Sequence, residues 1–227
     1  MIIRNSIILL LLSLSCLTVP AQKVELVFTG GMATFSMRDL KKMNADVQDQ
    51  IPFTTKLTDN FPMTFQFGGH FAFQLARKYK LGVLYAFNTT GSRISSADYS
   101  GSYQFDNMVS GHTIGMMNGF LVYDHRAFRI DFQANIGFVA SVLKMSEVLT
   151  VTDTTMSNTA RYTAVGIFLE PRAEFSYQWK NLKTGIYLGY FVNPMGRIRN
   201  KDGEASSSTI NWSGLRFGIE IGFRQAN

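Results

Sequence analysis

The sequence predicts an all-β protein: an eight-stranded antiparallel transmembrane β-barrel with short periplasmic turns, long outer loops and a short helix in loop 1. Three observations carry this. Apolar and polar residues alternate with period 2 in one segment after another, the pattern of a strand with two different faces. The polar face is rich in glycine, including Gly82, Gly137, Gly166, Gly185, Gly189, Gly214, Gly218 and Gly222. On a solvent face glycine only weakens a strand; inside a narrow barrel it makes room for long neighbouring side chains. The connections alternate in length, as they do in outer-membrane barrels. Composition agrees: 46% of residues are hydrophobic and 17% charged, with nineteen Phe and nine Tyr. That content excludes disorder. Beyond the N-terminus, no charge-poor apolar run approaches the ~20 residues of a spanning helix.

Residues 1–21 have the form of an export signal. Arg4 precedes an apolar run over 7–12 that continues weakly to Val19, and Val19-Pro20-Ala21 suits signal peptidase. Cleavage after Ala21 is expected, leaving 22–227 as the barrel domain. Cys16 is the single cysteine, and Ser13-Leu14-Ser15 before it makes a poor lipobox. The mature chain is therefore expected to lack thiol chemistry. Without Arg4 there are 21 basic residues against 16 acidic, and no Lys/Arg-rich run marks a nucleic-acid surface.

Strand by strand, the first covers 24–35 with a slip expected at Gly30-Gly31. Phe65, Phe67, Phe71 and Phe73 oppose Gln66, His70 and Gln74 over 63–75. Looser alternation covers 81–89 and 184–193. Segment 109–123 is apolar on both faces and cannot be phased. The cleanest strand, 129–141, sets Ile130, Phe132, Ala134, Ile136 and Phe138 against Arg129, Asp131, Gln133, Asn135 and Gly137. Val165, Ile167, Leu169, Phe175 and Tyr177 oppose Glu170, Arg172 and Glu174, and in the last strand Leu215, Phe217, Ile219, Ile221 and Phe223 oppose Arg216, Glu220 and Arg224. Short connections fall near 76–80, 123–127 and 179–182, and long ones near 38–62, 92–108, 144–159 and 194–211. Closure is obligatory, because an unpaired backbone group in hydrocarbon costs several kcal/mol. Tyr79, Tyr123, Phe128, Tyr177 and Trp179 beside the short turns form the expected aromatic girdle.

The chain resembles the small outer-membrane barrels of the OmpA/OmpX type, and most of all the PorT-like outer membrane beta-barrel proteins of Bacteroidota. The residues carrying this resemblance are Val19-Pro20-Ala21-Gln22, Met37-Arg38-Asp39-Leu40-Lys41-Lys42-Met43-Asn44 and the closing Trp212-Ser213-Gly214-Leu215-Arg216-Phe217-Gly218. It implies an outer-membrane location, passage through the barrel-insertion machinery and, for the PorT-like group, an accessory role in protein secretion. Such barrels usually end on an outward aromatic; here Arg224-Gln225-Ala226-Asn227 follows Phe223.

The best-defined constellation is the set of inward charges: Arg129, Asp131, Glu170, Arg172, Glu174, Arg216, Glu220 and Arg224. Four Arg against four acids suggests pairing across the axis, since a stranded charge is costly and guanidinium forks fit carboxylates. Lysine is absent from this set. A structural plug of salt bridges is the plainer interpretation, and a proton or small-ion path the alternative. His70, His112 and His125 show no metal-ligand spacing, and no nucleophile elbow or phosphate loop occurs. No cofactor, metal or catalytic residue is assigned. In loop 1, Ser36 and Asp39 resemble a capping box, with Leu40, Met43 and Val47 as an apolar face. This is either a lid or a docking helix. Arg197, Arg199 and Lys201 in loop 4 are candidate contacts for lipopolysaccharide phosphates. The expected function is non-catalytic: an envelope scaffold or surface-interaction barrel working through its outer loops. A secretion accessory, a narrow channel and a barrel enzyme remain alternatives.

Overall fold

The computed structural model describes residues 23–152, 154–194, 196–199 and 205–225. The expected export signal, Cys16, Gln22 and Lys201 lie outside them. In chain order the elements are β1 (Val24–Ala33), α1 (Arg38–Gln50), β2 (Lys56–Asn60), β3 (Thr64–Ala76), β4 (Tyr79–Asp98), β5 (Gly101–His125), β6 (Phe128–Val151), β7 (Thr154–Trp179), β8 (Leu182–Phe191), β9 (Arg197–Arg199), β10 (Ala205–Thr209) and β11 (Gly214–Arg224). Strands β1, β3–β8 and β11 form a closed antiparallel ring of eight. The ring shuts where β11 pairs β1, from Glu25↔Arg224 to Ala33↔Arg216.

The outer surface is a belt of side chains that a soluble protein would bury. Phe28 is 61% exposed, Val165 65% and Ile219 67%, while their sequence neighbours face the lumen. A closed ladder leaves no edge for hydrocarbon to strip of hydrogen bonds, so this belt is a lipid face. Tyr123, Phe128, Tyr177 and Trp179 are exposed beside the short turns, with Phe128 edge-on to Tyr177 at 5.1 Å. This is the expected girdle, and it marks the periplasmic rim.

Several expectations are corrected. β1 runs through Gly30-Gly31 in unbroken register with both neighbours, without a slip. Segment 109–123 is phased: Val109, Gly111, Thr113 and Met117 point inward, while Ile114, Met116 and Phe120 face lipid. Segments 92–108 and 144–159 are not loops. β4 pairs β5 up to Asp98↔Gly101, and β6 pairs β7 up to Val151↔Thr154. Above the membrane no face meets lipid, so the outward apolar half of the alternation disappears although the ladder continues, and Ile94, Tyr103 and Phe105 pack on its inner side. β1, β8 and β11, at 10, 10 and 11 residues, are near the ~9–11 residues that cross a bilayer. β5, β6 and β7, at 25, 24 and 26 residues, continue well beyond it. β2 adds to this outer sheet on β4, and β9 with β10 adds on β7.

Helix α1 is present, but its cap is not the expected one. Met37 is the N-cap, in a left-handed conformation (φ 43°), and no side chain caps the helix. Asp39 instead accepts the Thr209 amide (2.8 Å) and hydroxyl (2.7 Å), tying α1 to β10.

Candidate functional site

The lumen divides into two layers. Near the periplasmic end, the inward positions of β1, β4 and β8 place Glu25, Lys80 and Lys183 together. Lys183 donates to Glu25 (2.6 Å) and to Glu174. Lys80 donates to Glu25 (3.3 Å) and lies 3.6 Å from Asp131 and 3.7 Å from Glu174. His70 Nε2 stands 3.2 Å from Glu25, and Gln133 donates to Glu174 at 2.5 Å. One level up, Arg172 pairs with Glu170 at 3.0 Å and with Glu220 at 3.7 Å, its guanidinium 4.3 Å from the Tyr187 ring centre. At the rim, Arg224 lies 3.8 Å from Glu25, and Arg129 lies 3.7 Å from Asp124.

Every charge expected inside is inside, but the pairing differs from four arginines matched to four acids. Two lysines stand at the centre, so the expected absence of lysine is wrong. Glu25 and His70 also belong to the set. Alternation already puts His70 on the polar face of 63–75, and read to the strand ends it finds the other three: Lys80 continues the Gly82 face, Lys183 the Gly185 face, and Glu25 the Val27 face. Lys80 ends the segment 76–80 expected as a turn, and Lys183 lies between the expected turn 179–182 and the expected strand 184–193. Arg216 is the exception among the expected pairs. No carboxylate lies within 4.0 Å of it among the described residues, and it sits over the Phe191 ring at 3.5 Å. It marks the junction with the layer above.

Glu25, His70 and Glu174 bring candidate ligand atoms within 4.8 Å of one another, a spacing a metal ion could bridge. The Lys183 ammonium contacts both carboxylates, so the cation this site calls for is supplied by the chain.

The extracellular layer is apolar. Phe168 stacks on Phe191 at 4.7 Å, and Trp212 meets Phe35 edge-on at 5.1 Å while donating from Nε1 to Ser141 at 2.8 Å. Met37, Leu40, Phe61 and Ile210 complete this core. Glycine makes the space: a Cβ on Gly111 would come within 2.7 Å of the Trp212 ring, and one on Gly115 within 2.8 Å of Phe168. Leu40 is fully buried and Met43 packs beside it, so neither is free to dock a partner; α1 is a plug. Asn44, also buried, accepts from Asn107 at 2.7 Å and donates to Asn60 at 3.2 Å, locking the helix to β5 and β2. Of the three segments that carry the resemblance, 37–44 and 212–218 help to build the lumen filling, and 19–22 lies outside the described residues.

The outer sheet carries the remaining polar features. Arg93 grips Asp106 with two bonds of 2.7 and 2.9 Å. Partial burial raises the Asp106 carboxyl, but hydrogen bonds from Arg93 and Gln104 more than offset this and hold it below its ordinary value. Tyr103 donates to Glu147 (3.1 Å), and burial, then the Glu147 charge, push its phenol up to about 12. At the tip, a groove of about 280 Å³ lies between the two hairpin ends, with Phe53 edge-on to Tyr103 on its floor. Tyr99 at the same tip is fully exposed. On the lipid-facing side, Lys144 is registered with Arg161, and Thr163 and Val165 with Arg199 and Arg197. These exposed cations lie on adjoining strands, in register with the upper margin of the apolar belt. Register, not sequence spacing, brings Lys144 and Arg161 beside the loop 4 arginines.

The histidines are dispersed. His70 is in the lumen, His112 faces outward with Nδ1 2.8 Å from the Tyr85 hydroxyl, and His125 is exposed at a periplasmic turn.

No family model and no curated protein matches the chain. Among solved structures it is similar to Ail, the attachment invasion locus protein of Yersinia pestis, at 9% identity and a TM-score of 0.41, over 89% of this chain and 98% of that one. Acinetobacter baumannii CarO2 aligns at 8% identity and 0.41, over 90% and 100% respectively. The outer membrane protease OmpT of Escherichia coli aligns at 8% and 0.40, over 91% and 96%.

Proposed function

We propose that this barrel is closed to transport and works as a non-catalytic surface-interaction protein, presenting the outer sheet of β4–β7 to the exterior. The observation that carries this is the filled lumen. A charged layer and an apolar plug lie in series, and a gap beside His70, Glu170 and Arg172 admits only about 20 Å³, about the room for one water. Eight strands enclose little more than side chains can fill. Half of the ring ends near the membrane surface while the other half rises above it, with Tyr99 and the tip groove at its end. Lys144, Arg161, Arg197 and Arg199 suit phosphates of the outer-leaflet lipid, lipopolysaccharide among them, and would hold the sheet upright at the membrane surface.

The test has two arms. In planar bilayers the folded monomer should give at most rare, small conductance events; sustained steps would replace this function with transport. Cells displaying the full chain should adhere to surfaces or to one another more than cells displaying a barrel with the β4–β5 hairpin shortened by removal of 95–104. Equal adhesion with equal surface levels would remove the sheet from the function.

A further inference from the structure

The periplasmic mouth of the lumen is a polar recess of about 300 Å³ whose lining includes Lys23, Arg126, Arg129, Lys180 and Arg224, with Asp124 as its one acid among the described residues. Two of these cations are inward side chains about nine-tenths buried or more: the Arg129 side chain is 10% exposed and that of Arg224 5%. Each keeps a buried donor without a partner, Nε of Arg129 and Nη1 of Arg224. The carboxylates nearby do not discharge them. Glu25, 3.8 Å from Arg224, is already bonded to Lys183 and Lys80, and Asp131, the inward carboxylate next to Arg129 on β6, lies 3.6 Å from Lys80. Asp124 is half exposed and 3.7 Å from Arg129. Lys23, just outside β1, responds to the excess: partial burial and then the Arg224 and Arg129 charges push its ammonium below its ordinary value.

Unpaired guanidinium donors in a recess are costly unless something fills them. Guanidinium forks match the oxygens of an oxyanion, and the surplus of positive charge favours a group with more than one negative charge.

We infer that the periplasmic mouth is a binding site for a phosphate-class oxyanion, held by Arg129 and Arg224 from within and by Arg126, Lys180 and Lys23 from the rim. Its source is either a soluble phosphate ester of the periplasm or the headgroup of an inner-leaflet lipid.

The test uses the full folded chain. Inorganic phosphate is titrated calorimetrically against protein in neutral detergent at low salt, and the thermal midpoint is compared in phosphatidylcholine nanodiscs with and without cardiolipin. Saturable phosphate binding supports the site with a soluble source; stabilisation by cardiolipin alone supports it with a lipid source. Arg126→Asn and Lys180→Asn are the safe variants, because both residues are exposed turn positions with φ of 56° and 54°, which Asn tolerates. Together they should weaken binding by about tenfold, the loss of one good charge-assisted contact. Arg129→Gln and Arg224→Gln should weaken it at least as much. Neither ligand acting, or binding unchanged in the Asn pair and in either Gln variant that folds, would overturn the proposal.

Discussion

The two layers of the lumen solve the same problem, filling a narrow tube, by opposite chemistry. Toward the periplasm the filling is Glu25, Lys80, Lys183, Glu174, Arg172 and Glu170, where each group is tolerable because another neutralises it. Toward the exterior it is Trp212, Phe168, Phe191, Leu40 and Phe35, an ordinary apolar core. The difference lies in what each layer loses when perturbed. Truncation in the plug removes transfer free energy and leaves a cavity. Truncation in the charged layer removes little apolar area but strands a buried charge. Arg216 joins the two, lying over Phe191 from the charged side.

The two layers differ most at Glu174. Glu174→Ala leaves Lys183 and Lys80 short of one carboxylate and should destabilise the barrel by roughly 3–5 kcal/mol, measured by urea unfolding in lipid vesicles. Adding Lys183→Met should recover part of that loss. A double variant as unstable as the sum of its parts would show that the layer is not a mutually neutralising network.

The plug is tested next with Leu40→Ala, expected to cost about 2–4 kcal/mol in the same assay. No charge is stranded, so no second-site change of charge should rescue it. A cost under about 0.5 kcal/mol, the level of a surface substitution, would show that α1 lies loosely over the mouth instead of filling it.

Gly111→Ala tests how tightly the plug fits. Its methyl group would collide with the Trp212 ring, and overpacking of this kind costs about 1–3 kcal/mol. Trp212 fluorescence should shift at the same time. An unchanged emission maximum and midpoint would mean that the ring has room to spare.

The smallest effect belongs to the outer sheet, where the Arg93–Asp106 pair is solvent-exposed. Because the Asp106 carboxyl is held below its unfolded value, its contribution is complete above that value, near pH 4, and fades as pH falls through the lowered folded value. With Arg93 half exposed, the pair is worth at most about 1 kcal/mol. Asp106→Asn should remove that slice of acid sensitivity, lowering stability at pH 7 by at most about 1 kcal/mol and leaving it unchanged well below pH 4. An equal acid response in both proteins would assign it to other carboxylates.

Alternation alone was enough to place Arg129, Asp131, Glu170, Arg172, Glu174, Arg216, Glu220 and Arg224 in the lumen, because a strand embedded in lipid has one apolar and one polar face and a residue's parity decides between them. The same rule exposes the barrel, its eight-stranded ring and its girdle. It falls silent where lipid does not touch the strand. Above the membrane, 92–108 and 144–159 lose the outward apolar face and look like loops, yet backbone pairing carries the hairpins on to their tips, with Ile94, Tyr103 and Phe105 packed inside them. Partnership was equally out of reach. Lys183 and Glu25 are 158 positions apart in the chain but adjoin in the lumen, and only the closure of β11 on β1 with β8 alongside brings them together. The helix signal in 36–47 was readable from local spacing, whereas its burial depended on a mouth lined by Phe35, Phe61 and Trp212 that three distant segments supply. Parity is a local property of each strand; pairing and filling are properties of the closed ring, because contact across a tube depends on register and shear summed around all of its strands.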